Sequence, residues 1–518
     1  VLKRLNFTVS VLLILAMGAF IAFGKAQKQP KMKTAEEYWA ETGLTSQTLE
    51  ELLQEGSCNS SERYFYACVN AVQSVAQKYG FELSTDGRLV PLTKATSMAI
   101  SEKEVLSPWK AFLSAKSEVP NYPFLKLWQE LISEHIKEEK ISAAVGLGMN
   151  GFLSVFRDPH TYLMPAKLYN EVVAKTNPRS LSIGVVIGRD EKQFFIKKVI
   201  EQSSAFLAGV RKGDVLISVD GKKAKDMSMQ ELSESLRGEE GSTLKLSLRR
   251  QSDVKEISVV RSQQMLPTVS YQVLDGIKPV GVLTINKFAI GACTEVKAAL
   301  EYLQRQEIRG LLLDLRDNPG GQMEEAACVT GLFVGIGKEV FRIKPLALDV
   351  EEETTYSEQE QVYDGAMAVL INSGSASAAE IVAGALQDYR RAVLVGERSF
   401  GKGSFQEGEI WSKNSEIAIF ETKGFYYLPS GRTPQMVGLE PDVKVNFKDS
   451  IALREQDQFW YPLMAPHAVT SMEIAMDLQP DLAACVSFDS DFLSADDPEI
   501  KEAHRVLNCR GIAGRGAL

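Results

Sequence analysis

The chain has 518 residues, with 58 Lys plus Arg against 67 Asp plus Glu, a formal net charge of −9, and 45% hydrophobic residues. That is ordinary globular composition for about three or four domains, and a mildly acidic balance argues against the basic patch that sequence-independent nucleic-acid binding needs. Only four histidines occur (His135, His160, His467 and His504), none in an H-x-x-x-H or C-x-x-C setting. Zinc chemistry is therefore disfavoured, and a hydrolase built on this chain needs a base other than histidine.

Lys3 and Arg4 precede an uncharged run over 7–24, and Lys25 follows. The basic flank and the position at the start of the sequence predict a signal peptide or an N-terminal membrane anchor over 1–26. Cleavage fits after Gly24 or after Ala26. The bulk of the chain is then expected outside the cytoplasm, in a bacterium in the periplasm or on the periplasmic face of the inner membrane. Cys58 with Cys68, and Cys485 with Cys509, are spaced for local disulfides in such a space, whereas Cys293 and Cys328 read equally well as buried free thiols.

From 27 to 178 the pattern is mostly helical, with apolar residues at three- and four-residue spacing in 48–53 and 125–136. Over 179–265 the texture becomes β-type: runs at 181–187, 194–200, 215–219, 243–248 and 257–260, with a turn at Asp220-Gly221. One helix interrupts them, opened by the capping box Ser228-x-x-Glu231 and striped by Met229, Leu232 and Leu236. Ser182-Ile183-Gly184-Val185 and Gly209-Val210-Arg211-Lys212-Gly213-Asp214 make this module resemble a PDZ domain. Gly184 lets the backbone N–H groups of Ile183, Gly184 and Val185 converge on a carboxylate, and the groove beside the 228–237 helix accepts an extended peptide. The resemblance implies capture of an apolar protein C-terminus.

From 266 to 445 apolar strands alternate with helices, the clearest strands lying at 280–285, 311–315, 366–371 and 392–395. That alternation predicts a layered α/β core. The acidic stretch 351–364 reads as an exposed excursion, and 446–518 as a helical extension of unassigned role.

After the strand at 366–371 comes a turn, Asn372-Ser373-Gly374, and a helix from Ser375 onward. Ser377 then lies near a helix N-terminus, where unpaired N–H groups favour a developing oxyanion. Ser377-x-x-Glu380 is equally a capping box, the commoner role of such a serine. Downstream, Gly396 to Gly403 nearly spells G-x-x-x-x-G-K-[ST], but Gly403 replaces the magnesium-binding hydroxyl, so nucleotide binding is disfavoured. A lysine buried there instead loses its proton more readily and serves as a base for a serine.

The strip 372–406 closely resembles the catalytic segment of the carboxyl-terminal processing peptidases, or tail-specific proteases. In that family the nucleophilic serine precedes the base lysine by 25 residues, with a glutamine four beyond; here 402 − 377 = 25 and 406 − 402 = 4. The resemblance extends over roughly 150–445, through Asp158-Pro159-His160-Thr161-Tyr162-Leu163, the LLLDLRDNPGG of 311–321 and the YYLPSGRTPQMVGLEPD of 426–442. It departs at Ala379, where the family often has a second serine. It implies a crotonase/Clp-protease-like core with an inserted PDZ domain, Ser377 as nucleophile, Lys402 as general base and Gln406 orienting the lysine. It further implies an oxyanion hole from Gly320 or Gly321 with the N–H of Ala378, and no metal or cofactor. His160, remote in sequence, is expected to be structural. The expected partners are exported protein substrates, not nucleic acid, with membrane association through 7–24 and a second copy or an adaptor as further options. A non-catalytic PDZ scaffold is the rival, and the intact Ser377, Lys402 and Gln406 argue against it.

Overall fold

The computed structural model describes residues 34–93, 101–174, 180–189, 193–199, 203–227, 232, 235–236, 241–264, 268–274, 279–347, 350–445, 454–465 and 498–508. The 7–24 run, Cys485, Cys509 and most of the 228–237 helix lie outside them. Among the described residues no helix is long and apolar enough to cross a membrane.

The N-terminal region is built on three longer helices, α1 (Glu62–Lys78), α2 (Glu102–Ser114) and α3 (Ile141–Phe156). Ser61 caps α1 by accepting from the Tyr64 N–H at 3.2 Å. α1 and α3 approach closely because α3 carries glycine at the contact: a Cβ on Gly151 would lie 2.7 Å from the Asn70 carbonyl oxygen. Asn70 in turn donates to the Gly151 carbonyl at 2.8 Å. The expected Cys58–Cys68 disulfide is present and fastens the preceding short helix to α1. α3 runs into the Asp158–Leu163 motif and strand β1 (Tyr162–Pro165).

The next module is an antiparallel sheet in the order β6-β5-β4-β3-β2, with β2 (Val185–Arg189), β3 (Phe194–Val199), β4 (Val215–Val219), β5 (Thr243–Arg250) and β6 (Asp253–Val260). Alternation along β5 buries Leu244, Leu246 and Leu248 against Ile183, Phe194, Ile196 and Leu232. The run expected at 181–187 is split. Gly184 has φ +80, outside extended geometry, so β2 starts only at Val185.

The core is two layers of sheet with helices between. Its main sheet has the order β7 (Val269–Leu274), β8 (Val280–Ile285), β9 (Gly310–Asp314), β12 (Ala366–Ile371), β13 (Val393–Gly396), β16 (Val443–Lys444). Only β7 is antiparallel to its neighbour. Both faces are covered, which is why its strands read as unbroken apolar runs. Leu311 and Leu313 face α4 (Ala292–Arg305), α5 (Met323–Val334) and α6 (Ala378–Asp388). Leu312, Ala368 and Leu370 face α7 (Pro498–Asn508), through Ile500, Ala503, Val506 and Leu507.

A second sheet, β11 (Glu353–Tyr356), β10 (Glu339–Pro345), β15 (Ile417–Tyr427), β14 (Ser404–Ile410), closes the other side. The far end of β15 pairs with β1, Ile417 opposite Pro165, which joins the helical region to the core.

One expectation is corrected and one open alternative is decided. The 351–364 stretch is not a simple excursion: β11 pairs with β10, and Ser357 and Tyr363 are buried. Its polar residues occupy an edge strand, which needs only one apolar face. Cys293 and Cys328 are not free thiols; they form a disulfide between α4 and α5. Replacing both with serine should cost about 3–4 kcal/mol of stability from loop-closure entropy, because the bridge closes a 35-residue separation. Denaturant melts of the double variant under non-reducing conditions check this.

Candidate active site

The turn after β12 is held by its own polar side chains. Asn372 Oδ1 accepts from Asp317 N–H and Gly374 N–H, both at 2.9 Å. Ser375 Oγ donates to the Leu315 carbonyl at 2.8 Å and accepts from Asn372 N–H at 3.0 Å. Ser375 is thereby used by the turn, and α6 begins at Ala378, three residues later than the sequence suggests.

Ser377, at its N-cap, has φ 57 and ψ −119. A non-glycine residue in such a region costs on the order of 1–3 kcal/mol and persists only where its surroundings fix it.

Glu380 fixes it. This carboxylate is fully buried and takes four donors. Oε2 accepts from the backbone N–H groups of Ser377 and Lys402, each at 2.9 Å, and Oε1 from Gly401 N–H at 2.9 Å and Ser399 Oγ at 2.5 Å. Burial pushes the Glu380 carboxyl up to about 7 against these four bonds, which oppose the shift. One side chain thus ties the serine's backbone to the lysine's. Buried Tyr426 repeats the tie, its single hydroxyl proton shared between the carbonyls of Lys402 (2.8 Å) and Ser377 (3.1 Å). The sequence shows Glu380 only as a capping residue, and Tyr426 only as the first residue of the 426–442 motif, with no role attached.

Lys402 is largely enclosed, and burial pulls its ammonium below the ordinary lysine range, against the attraction of Glu455, Glu380 and Asp158. Nζ donates to Gln406 Oε1 at 2.6 Å. Gln406 Nε2 is held by Ser404 Oγ (3.1 Å) and Thr422 Oγ1 (3.2 Å), and Thr422 donates to Asp158 Oδ1 at 2.8 Å. Among the described residues Ser377 Oγ makes no hydrogen bond to Lys402 Nζ; the two are brought together through their backbones. Catalytic hydrogen bonds of this kind often tighten only when substrate is bound.

The Asn318–Gly321 turn packs against the serine: a Cβ on Gly320 would lie 2.7 Å from Ser377 Cβ. Gly320 N–H is already committed to Asn318 Oδ1 at 2.8 Å. Gly321 N–H and Ala378 N–H have no hydrogen-bond partner among the described residues, so Gly321 is the better placed of the two glycines to offer a donor. Among the described residues His160 bonds neither Ser377 nor Lys402; its backbone N–H donates to Asp158 Oδ1 at 2.9 Å and its Nε2 is paired with Glu455 Oε1 at 2.7 Å.

In the β-rich module, β2 is an edge strand, and among the described residues no strand pairs with its outer side, the side an added strand would take. Ile183 points its side chain into the module's own core and accepts from Ala205 N–H at 2.9 Å. Gly184 is required twice over, by its positive φ and because a Cβ there would lie 2.1 Å from Ser203 Cβ. The helix side of the groove falls mostly outside the described residues.

Residues 279–445 match the family described as Peptidase family S41, and residues 195–250 match the PDZ domain. The chain is thus similar to peptidase family S41 across its core and to the PDZ domain across its β-rich module. It is 29% identical over 321 residues to a probable CtpA-like serine protease of Staphylococcus haemolyticus, covering 61% of this chain and 63% of that protein. A protein of the same description from Staphylococcus epidermidis is 29% identical over 323 residues, covering 62% and 64%. The chain thus spans a little under two thirds of these relatives' length. Among solved structures, it is similar to a photosystem II D1 C-terminal processing protease, at 23% identity and a TM-score of 0.43, covering 66% of this chain and 92% of that one.

Proposed function

We propose that this chain is a serine endopeptidase that cuts exported proteins near their C-termini, with Ser377 as nucleophile and Lys402 as general base. The observation that carries the reading is the double backbone tie, by Glu380 and Tyr426, between a strained serine and an enclosed lysine. Ser377 Oγ attacks the scissile carbonyl while neutral Lys402 takes its proton. Gly321 and Ala378 N–H groups receive the oxyanion. Lys402 then passes the proton to the leaving amine, and water, deprotonated by the same lysine, releases the acyl group. Gln406 holds Nζ at the mouth of this relay.

The PDZ domain takes the substrate's apolar tail on its β2 edge, and the reaction takes place in the periplasm or on its membrane face. The test is cleavage of a partly unfolded protein ending in apolar residues. Lys402→Ala should lose at least about a hundredfold in kcat/KM at neutral pH. The wild-type rate should rise with pH along a limb lying below the ordinary lysine range, because the base must be neutral and burial favours that form. Removing 181–260 should abolish the preference for apolar tails over a charged tail. A fully active Lys402→Ala protein would remove the lysine from the base role, and unchanged tail preference would remove the PDZ domain from capture.

A further inference from the structure

Residues 454–465 lie beyond the segment matched to the peptidase family, yet they reach its centre. This strap is anchored on the N-terminal helices: Lys103 Nζ donates to the Gln456 carbonyl at 2.5 Å, and Trp460 N–H to Glu102 Oε1 at 2.8 Å. Trp460 packs on Tyr66 with ring centroids 4.9 Å apart, and Arg63 sits over the Tyr461 ring. On the core side, Gln435 Nε2 donates to the Leu463 carbonyl at 2.8 Å, and Glu455 N–H to the carbonyl of Phe400, two residues before the lysine, at 3.1 Å.

The strap thereby delivers Glu455, whose side chain is fully buried. Oε1 is shared by His160 Nε2 at 2.7 Å and Gln435 Nε2 at 3.3 Å. Gln435 also accepts from Gly403 N–H at 2.7 Å, on the residue following the lysine. Among the described residues Oε2 is buried with no hydrogen-bond partner. A bare carboxylate oxygen in the interior costs several kcal/mol unless a cation answers it.

Glu455 from the strap, Glu380 from α6 and Asp158 from the loop before β1 are the charged groups that favour the Lys402 ammonium against its burial. The remaining polar groups around the pair are His160 and Gln435 on Glu455, Gln406 on Nζ, and the Tyr426 hydroxyl on the lysine carbonyl. Arg454 adjoins Glu455 in sequence and repels Arg398, which has its own carboxylate partner in Glu440.

We infer that Glu455 is a positioning residue for Lys402, its bare Oε2 receiving the protonated lysine in the resting enzyme and so setting the pH at which the lysine becomes available as a base. The inference rests on Lys402 being the base, as proposed above. A negative charge beside the lysine favours its ammonium form, so removing that charge makes the neutral base available at lower pH.

The experiment is the pH profile of kcat/KM for wild type, Glu455→Gln, Glu455→Asp and Lys402→Ala. Glu455→Gln should move the ascending limb toward acid by about one pH unit, giving about tenfold more activity than wild type at the foot of the limb. Glu455→Asp, which keeps the charge, should restore the wild-type position. An unmoved limb, or a loss of equal size at every pH, with Lys402→Ala inactive, overturns the inference and leaves the base reading standing. A fully active Lys402→Ala overturns both. Should Glu455→Gln fail to fold, crystals of Ser377→Ala protein grown well below the limb decide the matter. Nζ hydrogen-bonded to Glu455 Oε2 supports the inference, and Nζ remaining on Gln406 alone overturns it.

Discussion

Ser377→Ala should abolish proteolysis, with kcat/KM falling by at least about a thousandfold while substrate still binds. The substitution removes one oxygen from a half-buried position, at most the serine's half of the capping box, while Glu380 goes on holding the N-cap backbone. Melting temperature should stay within a degree or two of wild type. The loss is then chemical and not structural. Cleavage of an unfolded substrate and labelling by a fluorophosphonate check it together, and a Ser377→Ala protein that still cleaves at the wild-type rate would displace the serine from the centre of the mechanism.

Glu380→Leu carries the second large effect, and its origin is different. Leucine fills much of the same space but leaves the N–H groups of Ser377, Gly401 and Lys402 unanswered in the interior. Each such orphan costs about 1–3 kcal/mol, and the strained Ser377 backbone loses the group that fixes it. Activity should fall by about a hundredfold or more, with a clear drop in melting temperature. Glu380→Gln is the sharper probe, because its amide can still accept at one oxygen. It should lower kcat more than it raises KM in protein that remains folded, the split expected when nucleophile and base are misaligned and the binding surface is intact.

The same residue makes a pH prediction. Its carboxyl titrates near 4.5 when unfolded and is pushed up to about 7 by burial in the fold. The folded state therefore holds the proton more tightly, and the associated stability is present below the lower value and lost as pH rises through the upper one. Relative to Glu380→Gln, wild type should lose melting temperature as the buffer is taken across that window. A constant difference between the two proteins would show that Glu380 does not titrate there.

How much of this could be read from the sequence depended on whether the signal was local. Strands β8 and β12 were legible to the residue, because burial on both faces leaves continuous runs such as Ala366–Ile371. The start of α6 was misplaced because Ser375 and Ser377 look alike in sequence; only the turn geometry shows that Ser375 bonds the Leu315 carbonyl. The spacing of Ser377, Lys402 and Gln406 was legible through resemblance, since all three lie on one continuous strip. Glu380 was visible but read as a helix cap, and its link to Lys402 appears only when the 399–403 loop folds back over the helix. Glu455 was not legible at all. It meets His160 across nearly 300 residues of chain, and nothing near it in sequence marks the meeting. The pairing of Cys293 with Cys328 was hidden in the same way, by helices that come together only in the assembled core.

The covering of the main sheet by α7 bears on where the molecule can be cut. The apolar edge formed by Val280, Val282, Leu312, Ala368, Leu370, Val393 and Val395 is roofed by a helix that follows the family-matched segment at a distance. The stretch 279–445 is therefore a unit of ancestry without being a unit of folding. Excised on its own it would present a broad greasy plane to water, and such planes stick to one another. The portable piece of this protein is the longer stretch that brings its own roof.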